Sequence, residues 1–430
     1  MAKKIGFLLV SFIMMLTFAS CSKDTAENKV DEVNEVNEVK DGEKVKLVIA
    51  YQWGEEAFHK RYDPIEEYLG NVEIEYVPSD GTRQTFEELF ANGIKPDMFV
   101  DQNVFALQDL EVIYPLNEFM EQENFDIGMF NPSMIESLQA YSDNGELIGL
   151  PDGTTNLALY FNKDIFDLFG QPYPDLDKPM TWPEVMDLAQ EMTVVRDGVQ
   201  YIGLDPSLLR FARNQFAVTA TDPTTGEVQI NNEEGFKRYF DMMARYYSIP
   251  GIKDTGENDP FAQKRAAMAI RNNITLAHGW GDIEYLKPFE LAPFPVWPGM
   301  PDSGPETGTT PMIIANYSEH KKEALEVLKA YFEPEIMLQQ VRSGGTVPPL
   351  SDPELYKQYA KDLEEYEGKN LEAYYQLTRV STNRKSRWDV FVDLESAEKK
   401  IADGEDVVTV LRQLEEESQT KIKEAMAQQK

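Results

Sequence analysis

Residues 45–77 read VKLVIAYQWGEEAFHKRYDPIEEYLGNVEIEYV. The first seven, Val45 to Tyr51, form a nearly continuous apolar run of the kind buried on both faces of a parallel sheet. A helical segment is predicted over 56–69. From Val72 the period changes: Val72, Ile74 and Tyr76 alternate with Glu73 and Glu75, the repeat of two that a strand imposes. Further along, RQTFEELFANG (83–93) puts Phe86, Leu89 and Phe90 on one helical face and stops at Gly93. DMFVD (97–101) is again a strand. The order β-α-β-α-β predicts a parallel α/β sheet. Ligands of such sheets bind beyond the C-terminal ends of the strands. That edge would carry Trp53 and Gly54, then Ser79 and Asp80, then Asp101, Gln102 and Asn103.

Upstream, LLVSFIMMLTFASCSKD (8–24) contains the chain's single cysteine, Cys21. One cysteine excludes a disulfide within the chain. Lys3 and Lys4 precede an apolar stretch, Ile5 to Phe18, of signal-peptide length and too short for an ordinary membrane span. The small residues before Cys21 resemble the bacterial lipobox, with Phe18 where Leu is commoner. The resemblance implies cleavage of residues 1–20 and a diacylglyceryl group on the Cys21 sulfur. Acyl chains hold a soluble domain at a membrane through buried CH₂ groups worth about 0.8 kcal/mol each. The alternative is a secretory signal followed by a chance cysteine. Residues 21–43 are polar and charged with no apolar face to bury, and read as an acidic flexible tether.

The chain of 430 residues carries a formal net charge of −34. Such an acidic surface does not bind nucleic acid by counterion release, nor anionic lipid without an anchor. About 400 residues after the signal exceed one typical core, so two domains are expected. No later apolar run is long enough to span a bilayer.

Beyond residue 101, Asn144-Gly145 in SDNGELIGLP (142–151) is a hairpin-turn signal. LALYFN (157–162) is a strand, followed by a helix, KDIFDLFG, ending at Gly170. TWPEVMDLAQEM (181–192) opens with Thr181 and Glu184 at capping-box spacing. Ser318 is the expected N-cap of a helix with Leu325, Leu328 and Phe332 on one face. DVVTVLRQLEEESQTKIKEAM (406–426) is a long amphipathic helix.

The order of these pieces resembles the family 1 extracellular solute-binding proteins, the capture subunits of ABC importers. GELIGLP followed by LALYFNKDIFDLFG is similar to the family's G-x-P segment and its Y-Y-N-K-D-x-F helix entry, with Tyr160-Phe161-Asn162 departing from the usual Y-Y-N. TWPEVMDLAQEM, RAAMAI with HGW, APFPVWPG, YSEHKKEALEVLKAYFEPE, SGGTVPPL and IADGEDVVTVLRQLEEE follow in the family's order. The resemblance implies an α/β, two-lobed periplasmic-binding-protein type fold with several hinge crossings and a ligand cleft between the lobes. One lobe is expected at 44–153 plus 308–346, the other at 154–307 plus 347–430. Closure would be a hinge motion.

Sugar sites combine aromatic faces against C–H patches with carboxylates and amides on pairs of hydroxyls. Trp280 matches the family's G-x-W, whose Trp commonly faces the cleft, and Trp388 matches a late aromatic that some relatives aim at the ligand. Trp53, Asp101, Gln102 and Asn103 are candidates from their place at the strand ends. Asp152 and Asn156 flank the first crossing between lobes. Trp182 belongs to the capping box and reads as structural, Trp297 lies in a Pro-rich strand exit, and Arg342 and Arg384 read as surface or salt-bridged residues. Catalysis has little support. His59, His278 and His320 fit no metal spacing, no G-x-S-x-G or P-loop occurs, and a chance pair among 75 acids carries no meaning.

The expected function is that of a lipid-anchored, extracytoplasmic protein on the outer face of the cell membrane. It would capture a carbohydrate, an oligosaccharide first of all, and deliver it to the transmembrane subunits of an ABC permease. It is expected to act as a monomer, with no cofactor, metal or nucleic acid. The alternatives are a cationic or peptide ligand, a secreted glycan-active enzyme, and a lipoprotein presenting ligand to a sensor.

Overall fold

The computed structural model describes residues 44–256, 258–273, 281–344, 347–382 and 384–428. The expected signal over 1–20, Cys21, the expected tether over 21–43 and Trp280 lie outside the described residues.

The apolar run becomes β1 (Val45–Tyr51) and the alternating stretch β2 (Val72–Pro78), paired in parallel with Val45 opposite Val72. Between them runs the helix Glu55–Leu69, which buries Phe58, Tyr62 and Ile65 at helical spacing. Gly70 closes it in the left-handed conformation (φ 70°), its N–H donating to the Glu66 carbonyl at 2.9 Å. The helix Arg83–Ala91 then leads to β3 (Met98–Val100), parallel to β1.

The strands that follow divide between two sheets. They are β4 (Leu150–Thr154), β5 (Leu157–Asn162), β6 (Val194–Arg196), β7 (Val199–Asp205), β8 (Ala266–Asn272) and β9 (Phe289–Ala292). Three more come later: β10 (Ser303–Gly304), β11 (Thr309–Ile314) and β12 (Thr378–Arg379). The first sheet has the order β2-β1-β3-β11-β4, the second β6-β7-β8-β5-β9, and β10 pairs with β12 alone. β11, more than 200 residues after β3 in sequence, enters between β3 and β4 and runs antiparallel to both. The parallel reading of residues 45–101 therefore holds for three strands, and the sheet is completed by a mixed edge.

Only residues 155 and 156 separate β4 in the first sheet from β5 in the second. The chain returns through 305–308 into β11. A third passage follows Val347, which bridges Thr154, while Leu350 bridges Phe130. Helices Glu55–Leu69 and Lys321–Tyr331 pack on each other beside the first sheet, and Pro132–Gln139 packs on β4 and β11. On the second sheet, Trp182–Glu191 packs on β7 and against Glu234–Tyr247. Each fully buried Leu, Ile or Phe in these layers contributes about 1.5–3 kcal/mol of transfer free energy.

Local signals are met with two corrections. The capping box at Thr181 and Glu184 is present in full, and Trp182 is buried with its indole N–H donating to Gln215 Oε1 at 2.8 Å. The helix expected from Ser318 begins at Lys321 with His320 as N-cap. The Ser318 hydroxyl donates instead to Asp97 Oδ1 at 2.6 Å and accepts from the His320 N–H, so a tertiary partner has displaced the cap. Asn144-Gly145 does make a turn, but the helix Pro132–Gln139 precedes it where a hairpin would need a strand. The C-terminal helix runs from Val407 to Gln428.

Candidate functional site

The loops after β1, β2 and β3 meet on one edge of the first sheet. Asp101 is fully buried there, accepting from the Ser79 hydroxyl at 3.0 Å and the Asn103 N–H at 2.8 Å. Burial raises its carboxyl above the usual Asp range, against those two hydrogen bonds, which favour the charged form. Asn103 caps the helix Val104–Asp109, accepting from the Ala106 N–H, and its Nδ2 donates to the Gly81 carbonyl at 2.7 Å. Gly81 sits at φ 73°, and a Cβ there would lie 2.9 Å from Asp101 Oδ1, so the loop needs glycine twice over. Gln102 takes a different course. Its N–H reaches Gln52 Oε1 at 3.3 Å, and its Nε2 donates to Thr310 Oγ1 on β11 at 3.1 Å. Trp53 follows β1, 41% exposed, with its ring edge-on to Tyr51 at 5.3 Å.

Four of the sequence candidates are thus gathered on one edge. Of these, Trp53 leaves a large apolar surface open, while Asp101 and Asn103 are engaged within the loops. Asp152 lies on β4, buried, in an ion pair with Arg61 of the helix Glu55–Leu69. Trp388 is brought elsewhere. It is 8% exposed, stacked on Phe391 at 6.3 Å, and lies against the Gly226 turn beside Ile422 and Met426 of the C-terminal helix. Trp297 is buried with its N–H on the Ala212 carbonyl, and Arg342 and Arg384 pair with Asp362 and Asp143.

Asn156 stands at the first crossing. Its N–H donates to Asn273 Oδ1 and its Nδ2 to the Tyr374 carbonyl, both at 2.9 Å. It also lines a cavity of about 250 Å³ at the crossings. Asn131 and Met134, from the helix end packed on the first sheet, face it from one side. Tyr374, Tyr375 and Arg379 face it from the other. Tyr356 and Tyr375 stack at 4.9 Å on its wall. Arg379 Nη2 donates to Thr309 Oγ1 at 3.0 Å, one residue from the threonine that holds Gln102. Burial lowers the Arg379 guanidinium to about 10, with the nearby Glu306 acting in the opposite sense.

Sequence reasoning missed Arg379 and the tyrosines. They lie in AYYQLTRV (373–380), where a short 3₁₀ turn, Leu371–Tyr374, runs into the two-residue β12, so no helical or strand period marks a face. Among the described residues, no group of three His, Cys, Asp or Glu is placed to hold a metal ion, and no helix is long and apolar enough to cross a membrane.

Comparison with known proteins agrees with this architecture. The family model described as bacterial extracellular solute-binding protein matches residues 51–337. The sugar-binding protein MalE from Xanthomonas citri superimposes with a TM-score of 0.71 at 15% identity, over 90% of this chain and 100% of that one. An ABC substrate-binding protein from Listeria monocytogenes in complex with cycloalternan gives 0.65 at 15%, over 88% and 99%. The cyclic alpha-maltosyl-1,6-maltose binding protein from Arthrobacter globiformis gives 0.65 at 15%, over 87% and 98%. No curated protein matches the sequence. At these identities the solved structures show the fold, the two-lobed periplasmic-binding-protein type, and the family match is to binding proteins rather than to enzymes. With two sheets joined at the crossings and a family match over two thirds of its length, the chain belongs to the bacterial extracellular solute-binding proteins.

Proposed function

We propose that this protein captures a carbohydrate between two lobes and delivers it to an ABC importer, held at the membrane by a lipid on Cys21. The observation that carries the reading is the cavity at the crossings, where stacked tyrosines and the amides of Asn131 and Asn156 face one space from both halves. Aromatic faces and amides are the groups a polyhydroxyl ligand needs. The sugar ligands of the similar folds support it. A cationic ligand is disfavoured, because no carboxylate occurs among the described lining residues.

The lobes are assigned to 44–153 plus 308–346 and to 154–307 plus 347–430, a division supported by the membership of β11 in the first sheet. Trp53 and, from the segment after β8, Trp280 are proposed to offer ring faces to the sugar from opposite lobes. Gln102 and Asn156 are proposed as polar partners. Asp101 and Asn103 act as supports for that edge, and Asp152 and Trp388 as structural residues. The protein works as a monomer with the permease subunits as partners.

A thermal-shift screen over oligosaccharides, neutral and acidic, tests the reading. A ligand at one hundred times its Kd adds about 2.7 kcal/mol of stability. Stabilisation by peptides or cationic solutes, with none by any saccharide, would overturn it.

A further inference from the structure

The acid content of the chain makes the cavity at the crossings unusual. Aspartate and glutamate account for 75 of 430 residues. Yet the described lining contains no carboxylate and a single charged side chain, Arg379. The Nε and Nη1 atoms of Arg379 are shielded from solvent and have no hydrogen-bond partner in the protein, and the same holds for Tyr375 Oη. Only Nη2 is engaged, on Thr309. Glu306, whose charge acts on Arg379, is buried and already paired with Lys385. A guanidinium kept from water with two idle donors is costly unless something else accepts from it.

From the idle donors of Arg379 and Tyr375, two residues that line this carboxylate-free cavity, we infer that the ligand is an acidic saccharide whose carboxylate is bound by Arg379. The inference rests on the carbohydrate reading above and narrows it to uronate-containing sugars. Nε and Nη1 are closed to a water-sized sphere here, so the guanidinium must turn toward the cavity to take the carboxylate. Charge-assisted hydrogen bonds of this kind are about twice as strong as neutral ones. Tyr375 supplies a third donor and, with Tyr356, an aromatic wall for the C–H face of the ring. The volume, about 250 Å³, lies just under the roughly 300–1,000 Å³ of common ligand pockets and suits a single sugar residue of a longer chain. The acidic exterior does not forbid an anionic ligand, because exposed charges are largely screened beyond about 8 Å at physiological salt.

Calorimetry on the full mature protein tests this. The probes are glucuronate, galacturonate and tri-galacturonate, their neutral counterparts glucose, galactose and galactotriose, and sodium acetate. Each acidic sugar is expected to bind at least tenfold more tightly than its neutral counterpart, and acetate not measurably. Arg379→Gln should weaken each acidic sugar at least tenfold, so that the preference over its neutral counterpart is lost, and keep the ligand-free melting temperature. Tyr375→Phe, which removes one oxygen only, should weaken acidic-sugar binding severalfold and serves if the arginine variant does not fold. Equal affinity for acidic and neutral sugars would overturn the inference and leave the carbohydrate reading standing. So would acetate binding as well as the uronates. Failure of every saccharide, acidic and neutral, would overturn both.

Discussion

The hydroxyl of Thr154, at the end of β4, lies 2.9 Å from that of Thr307 and 2.7 Å from the Gly308 carbonyl. One residue thereby ties the outgoing passage between the sheets to the returning one. Thr154→Val keeps the shape and removes the oxygen. At about 1 kcal/mol per hydrogen bond the variant should lose roughly 1–2 kcal/mol, read by urea unfolding. Because these passages are the proposed hinge, saturating ligand should also lower the radius of gyration of the parent in small-angle scattering. An unchanged curve would argue for a rigid pocket.

Asp101 predicts a pH dependence with a definite sign. Its folded carboxyl titrates above the ordinary value of about 3.9, because burial disfavours the charge. The folded state then holds its proton more tightly than the unfolded chain does. Its contribution is fully present below the unfolded pKa and is lost as pH rises through the folded one. Asp101→Asn does not titrate, so its stability relative to the parent should increase from about pH 4 upward and then level off. A relative stability that falls over that range would show that the hydrogen bonds from Ser79 and Asn103 outweigh the burial.

Arg61 and Asp152 test whether a candidate ligand group is structural. Their side chains are 14% and 5% exposed. Removing one partner of a buried pair costs about 3–5 kcal/mol, while replacing both by apolar groups is often neutral. Asp152→Ala should therefore lower the melting temperature without ligand present, and Arg61→Met with Asp152→Leu should recover most of it. Normal apo stability with lost sugar binding would return Asp152 to the ligand site.

The tryptophans separate by burial. Trp53→Ala removes an exposed ring, so calorimetry should show near-normal apo stability and a loss of about 2 kcal/mol in binding, roughly thirtyfold in Kd. Trp280→Ala is expected to do the same, and Trp→Phe at either position should cost less. Trp388→Ala opens a cavity beside the C-terminal helix and should cost about 3–5 kcal/mol of stability. Sugar affinity within twofold of the parent for both Trp53→Ala and Trp280→Ala would remove them from the site.

Cys21 is predicted to carry the lipid. Cys21→Ala or Cys21→Ser should release the protein from the membrane fraction or block its maturation. Unchanged membrane retention, with the mass of the mature N-terminus also unchanged, would contradict the anchor.

What the sequence by itself determined are features settled over a few residues. The apolar run at 45–51, the alternation at 72–76, the helical segment at 56–69 and the capping box at Thr181 all depend on neighbours within one turn or one pleat. The motif order added the family and the two-lobed fold. Tertiary structure decided what depends on residues far apart in the chain. It placed β11 between β3 and β4, moved a helix start by giving Ser318 a partner at Asp97, and paired Asp152 with Arg61, 91 residues away. It also gathered Arg379, Tyr375 and Asn131 around one cavity from segments with no common period. Whether a carboxylate or guanidinium is spent on an internal partner or left to face a ligand is fixed by desolvation and by the groups packed against it, and neither is written in local spacing.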